Sequence, residues 1–531
     1  MATTLPSPQV DGLPQVIDLP TPRLLERLPS WLTMGGALVV LMAFSAYLRT
    51  RFISGQFWMD EAITTGIASH PLGQIPGLLR QDGSPPLYYM LLHFWIQAFG
   101  ASETGTHALS LLFGLLCVPA GMWAGWSLFG RRTGLTAGIL FAVNAWLTQY
   151  AQETRMYELM GLLGILATAS FIHAFVARRR GYLVLFAACE ALMLYTHAWA
   201  IFFGVGAALA LIPVWRRSED RRGLVRDAVL AFAAAGILFL PWLPNFIYQA
   251  IHTAAPWAKP PRFGTPILIS HDLLGGTGVS VPLLIAVIVG LGPLVSAARR
   301  RSRETTILWT LIVIPVGTLA VAWVASQSNP AYVSRYFAPI LASILLLAAW
   351  GCARTGIVGW VALAVTVVLM LPVATYSPPE KSDMREVSGE LSPLLRPGDL
   401  VISGQPEQVP LMWYYLPSGL RYASTLGPAP DPRHMDWVDA LARLRRARPQ
   451  ATLAPLLASL RPGQRLLFVR PITPGVSNWS APWTQLVRRR AAQWGALLSG
   501  DPRLKPIAWA PHDYNGAACC VADSAVLYQV T

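Results

Sequence analysis

Residues 57–89 read FWMDEAITTGIASHPLGQIPGLLRQDGSPPLYY. The stretch is a polar interruption in an otherwise oily chain. It carries three carboxylates, Asp60, Glu61 and Asp82, and a Ser-Pro-Pro corner at Ser84, Pro85 and Pro86. The segment after it, 86–99 (PLYYMLLHFWIQAF), is apolar but short and holds His93. Whether that segment crosses a membrane decides which way every later part of the chain faces.

The surrounding composition is that of a membrane protein. Of 531 residues, 54% are apolar and 13% charged, and the mean hydropathy is +0.45; ordinary soluble proteins carry about 25% charged residues. Apolar segments lie at 31–48, 105–129, 133–150, 156–177, 182–196, 198–215, 228–248, 280–297, 306–325, 336–351 and 356–374. Several reach the roughly 18–25 residues a helix needs to cross a bilayer. The 34 residues of 182–215 would make a single helix of about 50 Å. That is too long for one crossing, so two spans are predicted, turning at Tyr195, Thr196 and His197.

A net charge of +14 could point to nucleic acid. The arginines, however, sit in short clusters between apolar runs, where the positive-inside rule places them, and nucleic-acid binding is set aside. If 86–99 does not cross, Arg131/Arg132, Arg178/Arg179/Arg180, Arg216/Arg217/Arg221/Arg222, Arg299/Arg300/Arg301/Arg303 and Arg354 all face the cytoplasm. If it crosses, all of them face outward. The rule selects an interfacial helix, with Tyr88, Tyr89, Phe94 and Trp95 at headgroup depth. The prediction is about eleven spans with the N-terminus inside.

Residues 1–30 are proline-rich and polar without an apolar core, so they are expected to form a disordered cytoplasmic tail, not a signal peptide. Cys117, Cys189 and Cys352 are expected to pack as small hydrophobes, and the adjacent Cys519 and Cys520 to be free thiols, with a strained vicinal disulfide as the alternative. No C-x-x-C spacing and no internal repeat is present. Charges return from Pro378 onward. The expected division is a tail at 1–30, a membrane domain at 31–375 with its polar loop at 49–104, and a small extracytoplasmic α/β domain at 376–531. Within the last, 399–403, 465–470 and 525–530 read as buried strands, and 436–447 and 484–498 as amphipathic helices.

This topology sends 49–104, 149–157, 195–199, 249–279, 326–336 and the C-terminal domain to the outer side. Asp60-Glu61 follows an aromatic cluster that lowers its solvation, a setting that raises a carboxylate pKa and makes a base. Asp82 and Ser84 stand at a proline-fixed corner, where either could instead cap the next helix. Gln152-Glu153-Thr154-Arg155-Met156-Tyr157-Glu158 ends a span; it is either functional or an Arg–Glu anchor between helices. Arg335-Tyr336 opens a span from outside, against the charge asymmetry. Snorkelling would explain it, and so would a guanidinium holding a lipid phosphate. His197 lies at another outer turn, where a structural role competes.

Four elements together carry a resemblance: the Asp60-Glu61 pair after the first span, D-x-x-P-P-L-Y-Y at 82–89, Q-E-x-R-x-Y at 152–157 and S-R-Y-x-x-P at 334–339. They resemble the polyprenyl-phosphate-sugar-dependent membrane glycosyltransferases of C-type fold, in the protein O-mannosyltransferase-like and lipid A aminoarabinose transferase-like branch. The resemblance covers 31–340, and its motifs are weak singly and fairly specific in combination. Many relatives carry His or an acidic residue just before the Pro-Pro pair, where this chain has Ser84. Asp82 would have to fill that role here.

The resemblance implies transfer of a sugar from an undecaprenyl- or dolichyl-type phosphate to an acceptor hydroxyl outside the cytoplasm, in the cell (inner or plasma) membrane. Asp60 would be the general base. Arg335, with Arg155 or His197, would stabilise charge on the departing phosphate. Glu61, Asp82, Glu153, Tyr157 and Tyr336 complete the expected substrate contacts; Glu61, Asp82 and Glu153 are alternatively ligands for a divalent cation. The acceptor would be an envelope glycan, lipid or protein, the first two favoured because no protein-acceptor determinant is evident. The competing classes are a transporter or flippase of lipid-linked sugars, which tends to show internal repeats and broken helices, and a non-catalytic membrane interaction protein. The last would not require Asp60, Arg155 and Arg335 to converge.

Overall fold

The apolar segments are helical in a computed structural model that describes residues 30–296, 302–375, 380–473, 479–511 and 522–531. The expected N-terminal tail up to residue 29, Arg299, Arg300, Arg301, Cys519 and Cys520 lie outside the described residues. From the N-terminal side the helices are α1 (Ser30–Thr50), α2 (Met59–Ala68), α3 (Ile75–Asp82), α4 (Leu87–Phe99), α5 (Glu103–Phe129), α6 (Arg131–Val143), α7 (Ala145–Tyr150) and α8 (Tyr157–Phe171). Then follow α9 (Gly181–Thr196), α10 (Ala200–Arg217), α11 (Arg221–Phe239), α12 (Leu243–His252), α13 (Thr265–Leu273), α14 (Thr277–Ser296), α15 (Arg303–Ser328), α16 (Ala338–Arg354) and α17 (Gly356–Thr375).

Among the described residues, six helices are long and apolar enough to cross a membrane. The number is eight if the pairs α11/α12 and α13/α14, bent by 76° and 89°, each form one span, and α9 and α17 are shorter apolar helices. The protein is a multi-pass membrane protein. One expected span, 133–150, is not a single helix. Asn144 leaves the helical conformation (φ −56°, ψ 121°), and its side chain accepts from the Leu147 amide at 2.9 Å. Its amide group donates to the Leu273 carbonyl at 3.1 Å. An asparagine cap thus ends α6 and starts α7. The 182–215 stretch does divide, at an extended His197 (φ −154°, ψ 134°). Helix α4, with 13 residues, is about 20 Å long and too short for a hydrocarbon core of about 30 Å. It buries Tyr88, Tyr89, Leu92 and His93 against the bundle. Arg49, wholly buried at the end of α1, donates to the carbonyls of Gly114 and Phe141 and ties α1 to α5 and α6.

The C-terminal region adds α18 (Met384–Leu391), α19 (Val409–Tyr415), α20 (Ala440–Arg446), α21 (Pro449–Ala458) and α22 (Pro482–Ser499). Its strands are β1 (Leu400–Ser403), β2 (Arg421–Ser424), β3 (Gly427–Pro428), β4 (Arg465–Ile472), β5 (Leu504–Ala510) and β6 (Ala522–Val530), forming one mixed sheet of order β3-β2-β1-β4-β6-β5. β1 runs parallel to β2 and β4, pairing Leu400 with Leu466 and Ser403 with Val469. Side chains alternate across a strand. Leu400, Ile402, Leu466 and Phe468 therefore pack on one face with Trp494 and Leu498 of α22, while Val401, Leu467 and Val469 pack on the other with α18 and α19.

That second face is where the opening stretch enters. Phe57 and Ala62 belong to the apolar core under the sheet, whereas Ile63, Ile67 and Ala68 belong to the bundle core. Helix α2 is therefore clamped between the two. The Phe57 amide donates to Tyr415 Oη at 2.8 Å, and Ser382 Oγ donates to the Phe57 carbonyl at 2.6 Å. Further along, a strap from the C-terminal domain crosses α2: His70 Nε2 meets Asp431 Oδ2 at 2.7 Å, and Arg433 Nε donates to Asp431 Oδ1 at 2.9 Å. The Arg433 carbonyl lies so close over Gly66 that any Cβ there would collide with it. Only glycine permits that approach.

Candidate active site

Asp60 and Glu61 occupy the first turn of α2, where the helix dipole favours negative charge. Successive helical residues point about 100° apart, so the two carboxylates face different surroundings. The Glu61 side chain is 0% exposed. Its Oε1 accepts from His107 Nε2 at 2.6 Å and from the Thr154 amide at 2.8 Å. Its Oε2 accepts from Lys381 Nζ at 2.6 Å and from the Trp58 amide at 3.3 Å. These bonds use the roughly four acceptor positions of a carboxylate. Burial would raise the Glu61 pKa, but the adjacent Lys381 and His107 outweigh it and hold the group below the usual carboxylate range.

Asp60 is 26% exposed and faces two guanidinium groups. Its Oδ2 lies 3.7 Å from Arg335 Nη2 and 4.0 Å from Arg155 Nη2, ion-pair distances without a direct hydrogen bond. Arg155 is seated by its Nη1, which donates to Thr64 Oγ1 at 2.6 Å and to the Asp60 carbonyl at 3.3 Å. The turn that carries Arg155 is itself pinned. Thr154 Oγ1 bonds Thr106 Oγ1 at 2.7 Å, and Ser110 Oγ donates to the Arg155 carbonyl at 3.0 Å. Arg335, on a 3₁₀ turn (Ser334–Phe337) before α16, lies over the rings of Trp58, Tyr336 and Trp257 at 5.5, 5.6 and 5.9 Å. Aromatic faces hold a cation without using its N–H groups. Among the described residues, Nε of Arg155 and Nε of Arg335 are buried and have no hydrogen-bond partner.

His197 lies beside the two guanidinium groups. Its ring lies 4.5 Å from that of Tyr336 and 6.4 Å from that of Tyr157, and its Nδ1 accepts from the Trp199 amide at 3.1 Å. Burial, then the charges of Arg155 and Arg335, push its pKa down to about 3. It is a neutral imidazole whose Nε2 carries the proton. Asp82, at the end of α3, accepts weakly from Tyr89 Oη at 3.5 Å. Burial pushes its pKa up to about 6, against the lowering effects of Ser84 and Arg155. Glu153 is also raised, by burial; Oε2 of its side chain is buried without a partner among the described residues.

The structure therefore brings Asp60, Arg155, Tyr157, His197, Arg335 and Tyr336 together, with Asp82 and Glu153 at the border. Glu61 turns away into its own buried network. Among the described residues, no three His, Cys, Asp or Glu side chains are placed to hold a metal ion. Glu61, Asp82 and Glu153 thus do not gather as one cation site, and Glu61 has no acceptor position left for a metal. Cys117, Cys189 and Cys352 are buried free thiols. Sequence reasoning missed Lys381 and His107. Lys381 is one of only three lysines among 41 basic residues, a rarity that could have marked it. His107 is an ionisable group near the start of a span, a costly position that often marks function.

No protein-family model matches the chain, and no curated protein does. Solved structures do. ArnT from Cupriavidus metallidurans in the apo state superposes with a TM-score of 0.55 at 15% identity, over 93% of this chain and 97% of that one. The same protein bound to undecaprenyl phosphate gives 0.53 at 14%, with the same coverage. The archaeal oligosaccharyltransferase AglB from Archaeoglobus fulgidus, in complex with an inhibitory peptide and a dolichol-phosphate, gives 0.53 at 12%, over 86% of this chain and 72% of that one. The chain has the C-type fold of membrane glycosyltransferases.

Proposed function

We propose that the protein transfers a sugar from a polyprenyl-phosphate donor to a hydroxyl group of a cell-envelope acceptor. The observation that carries this reading is the Asp60 carboxylate set 3.7 Å from Arg335 and 4.0 Å from Arg155. It stands in a fold whose solved examples hold undecaprenyl phosphate and a dolichol-phosphate. Two cations loosely tethered by one carboxylate suit a phosphate that arrives between them. In the proposed reaction the guanidinium groups turn to the donor phosphate, which frees Asp60 to face the acceptor. The acceptor proton passes to Asp60 as the hydroxyl oxygen bonds to the anomeric carbon. The bond from that carbon to the phosphate oxygen breaks, and its electron pair leaves with the polyprenyl phosphate. Arg335 and Arg155 stabilise the charge that develops there, and neutral His197 donates a hydrogen bond from Nε2. The cations of this step are side chains, and none of it is routed through a metal.

Tyr157 and Tyr336 line the donor side in this reading, and Asp82 and Glu153 contact sugar hydroxyls. The domain carrying the chemistry is 31–375, with the site facing out of the cytoplasm, the 1–30 tail inside and 376–531 outside, in the cell membrane. The Arg clusters between spans support that orientation. The test is to incubate the purified protein with a panel of polyprenyl-phosphate sugars and to measure release of polyprenyl phosphate. Release from at least one donor, stimulated by envelope glycan or lipid, is expected. A protein that turns over none of them is not such a transferase.

A further inference from the structure

One charged side chain from the C-terminal region reaches the buried carboxylate next to Asp60. Lys381 lies in the segment between α17 and α18, and its side chain, 15% exposed, is held between α2 and the turn before α8. It donates to Glu61 Oε2 at 2.6 Å and to the Gln152 carbonyl at 3.2 Å. Both acceptors belong to the frame of the site. Glu61 in turn accepts from the Thr154 amide, next to Arg155, and from the Trp58 amide, at the start of the turn that carries Asp60. His107 approaches the same carboxylate from α5 and spends its other ring nitrogen on the Ile53 carbonyl at 2.6 Å. Four separate stretches therefore converge on one anion, and Lys381 is the only contributor among them that comes from beyond the membrane helices.

We propose that Lys381 is a positioning residue of the transfer site: by binding Glu61 and the Gln152 carbonyl, it fixes the backbone on which Asp60 and Arg155 stand, and makes catalysis depend on the docked C-terminal domain. The inference rests on the transferase reading above. Lys381 does not touch the reacting groups in this arrangement. It acts through Glu61, and a small displacement of Asp60 relative to Arg155 is what its loss would cause. Misplacing a reacting group by about 1 Å can cost about 100-fold in rate. Arg335 and Tyr336 stand on a different element and touch this network only through the Trp58 ring and the Asp60 carboxylate, without a hydrogen bond to Glu61, so donor capture is expected to survive.

The test compares purified full-length wild type, Lys381→Met, Lys381→Arg and the double variant Lys381→Met/Glu61→Gln. Donor-dependent release of polyprenyl phosphate gives kcat and the donor KM, and thermal melts in detergent report folding. The expected result for Lys381→Met is a kcat about 100-fold lower with donor KM within about threefold. Lys381→Arg, which keeps the cation, should recover most of the kcat. The double variant removes the unbalanced buried charge, so its melting temperature should return toward wild type while kcat stays low. If Lys381→Met alone does not fold, the double variant decides. Recovery of kcat together with the melting temperature in the double variant would make Lys381 a mere charge balance and overturn the proposal, as would a Lys381→Met kcat close to wild type. A wild type that turns over no donor sinks the transferase reading and this one with it; an active wild type with an insensitive Lys381 sinks this one alone.

Discussion

Asp60 and Glu61 are neighbours in the chain and opposites in the fold. Glu61 sits in a closed region, 0% exposed, with every acceptor position filled at 2.6–3.3 Å. Asp60 sits in an open one, 26% exposed, facing two guanidinium groups that come no nearer than 3.7 Å. A saturated carboxylate is built to stay where it is. A loosely held one, among cations with unused N–H groups, is built to exchange partners. The difference teaches that the acidic pair is not built as a dyad: on the proposed reading Asp60 reacts, while the saturated Glu61 holds the frame.

The largest expected effect is on Asp60. Asp60→Asn should lower transfer by about 1,000-fold, within the range of general-base contributions, with expression and melting temperature unchanged; near-normal turnover would move the base elsewhere. Arg335→Ala comes next. It should lower kcat/KM for the donor by about 100-fold, the scale of one lost electrostatic stabiliser, and an unaltered donor dependence would leave the phosphate to Arg155 and His197. Glu61→Gln should act on the other side of the comparison. It leaves Lys381 and His107 without their anion, and breaking a buried ion pair costs about 3–5 kcal/mol. A sharp drop in melting temperature is therefore expected. Lost turnover with an unchanged melt would put Glu61 among the reacting groups and dissolve the contrast.

The smallest effect concerns the strap over α2. Burial would raise the Asp431 pKa, but hydrogen bonds from Arg433 and His70 hold it well below the usual carboxylate range. A carboxyl depressed in the folded state stabilises above its unfolded pKa, about 3.9 for Asp, and that contribution is lost as pH falls toward the depressed value. Asp431→Asn should thus melt slightly below wild type at pH 7, by a ΔΔG of about 1 kcal/mol or less given its partial exposure. The gap should close below about pH 4. A gap that persists in acid would show that the strap holds by packing and not by charge.

Much of this was legible in the residues. That the chain is a polytopic helical membrane protein followed from apolar runs and arginine clusters, its C-type fold from the resemblance carried by four motifs, and the strands 399–403, 465–470 and 525–530 from short buried patterns that recur as β1, β4 and β6. The break at Asn144 was not, because the surrounding run is continuously apolar and a single capping side chain overrides it. The cationic partners of Asp60 could be named from their positions at span ends. The separate fates of Asp60 and Glu61 could not, because a 100° turn between helical neighbours is invisible until the packing on each side is known. Lys381 escaped for the same kind of reason. Its partner is hundreds of residues away, and no local spacing marks the pair.

The placement of Lys381 also sets an order of assembly. A nascent chain that has been synthesised only through α17 already contains Asp60, Arg155 and Arg335, but neither the ammonium that binds Glu61 nor the Asp431 strap over α2. On the proposed reading, such an unfinished chain sits in the bilayer among donor lipids with its frame unlatched. On the same reading, transfer starts only once 376–531 has been made and Lys381 has reached Glu61, so an unfinished chain spends no donor lipid.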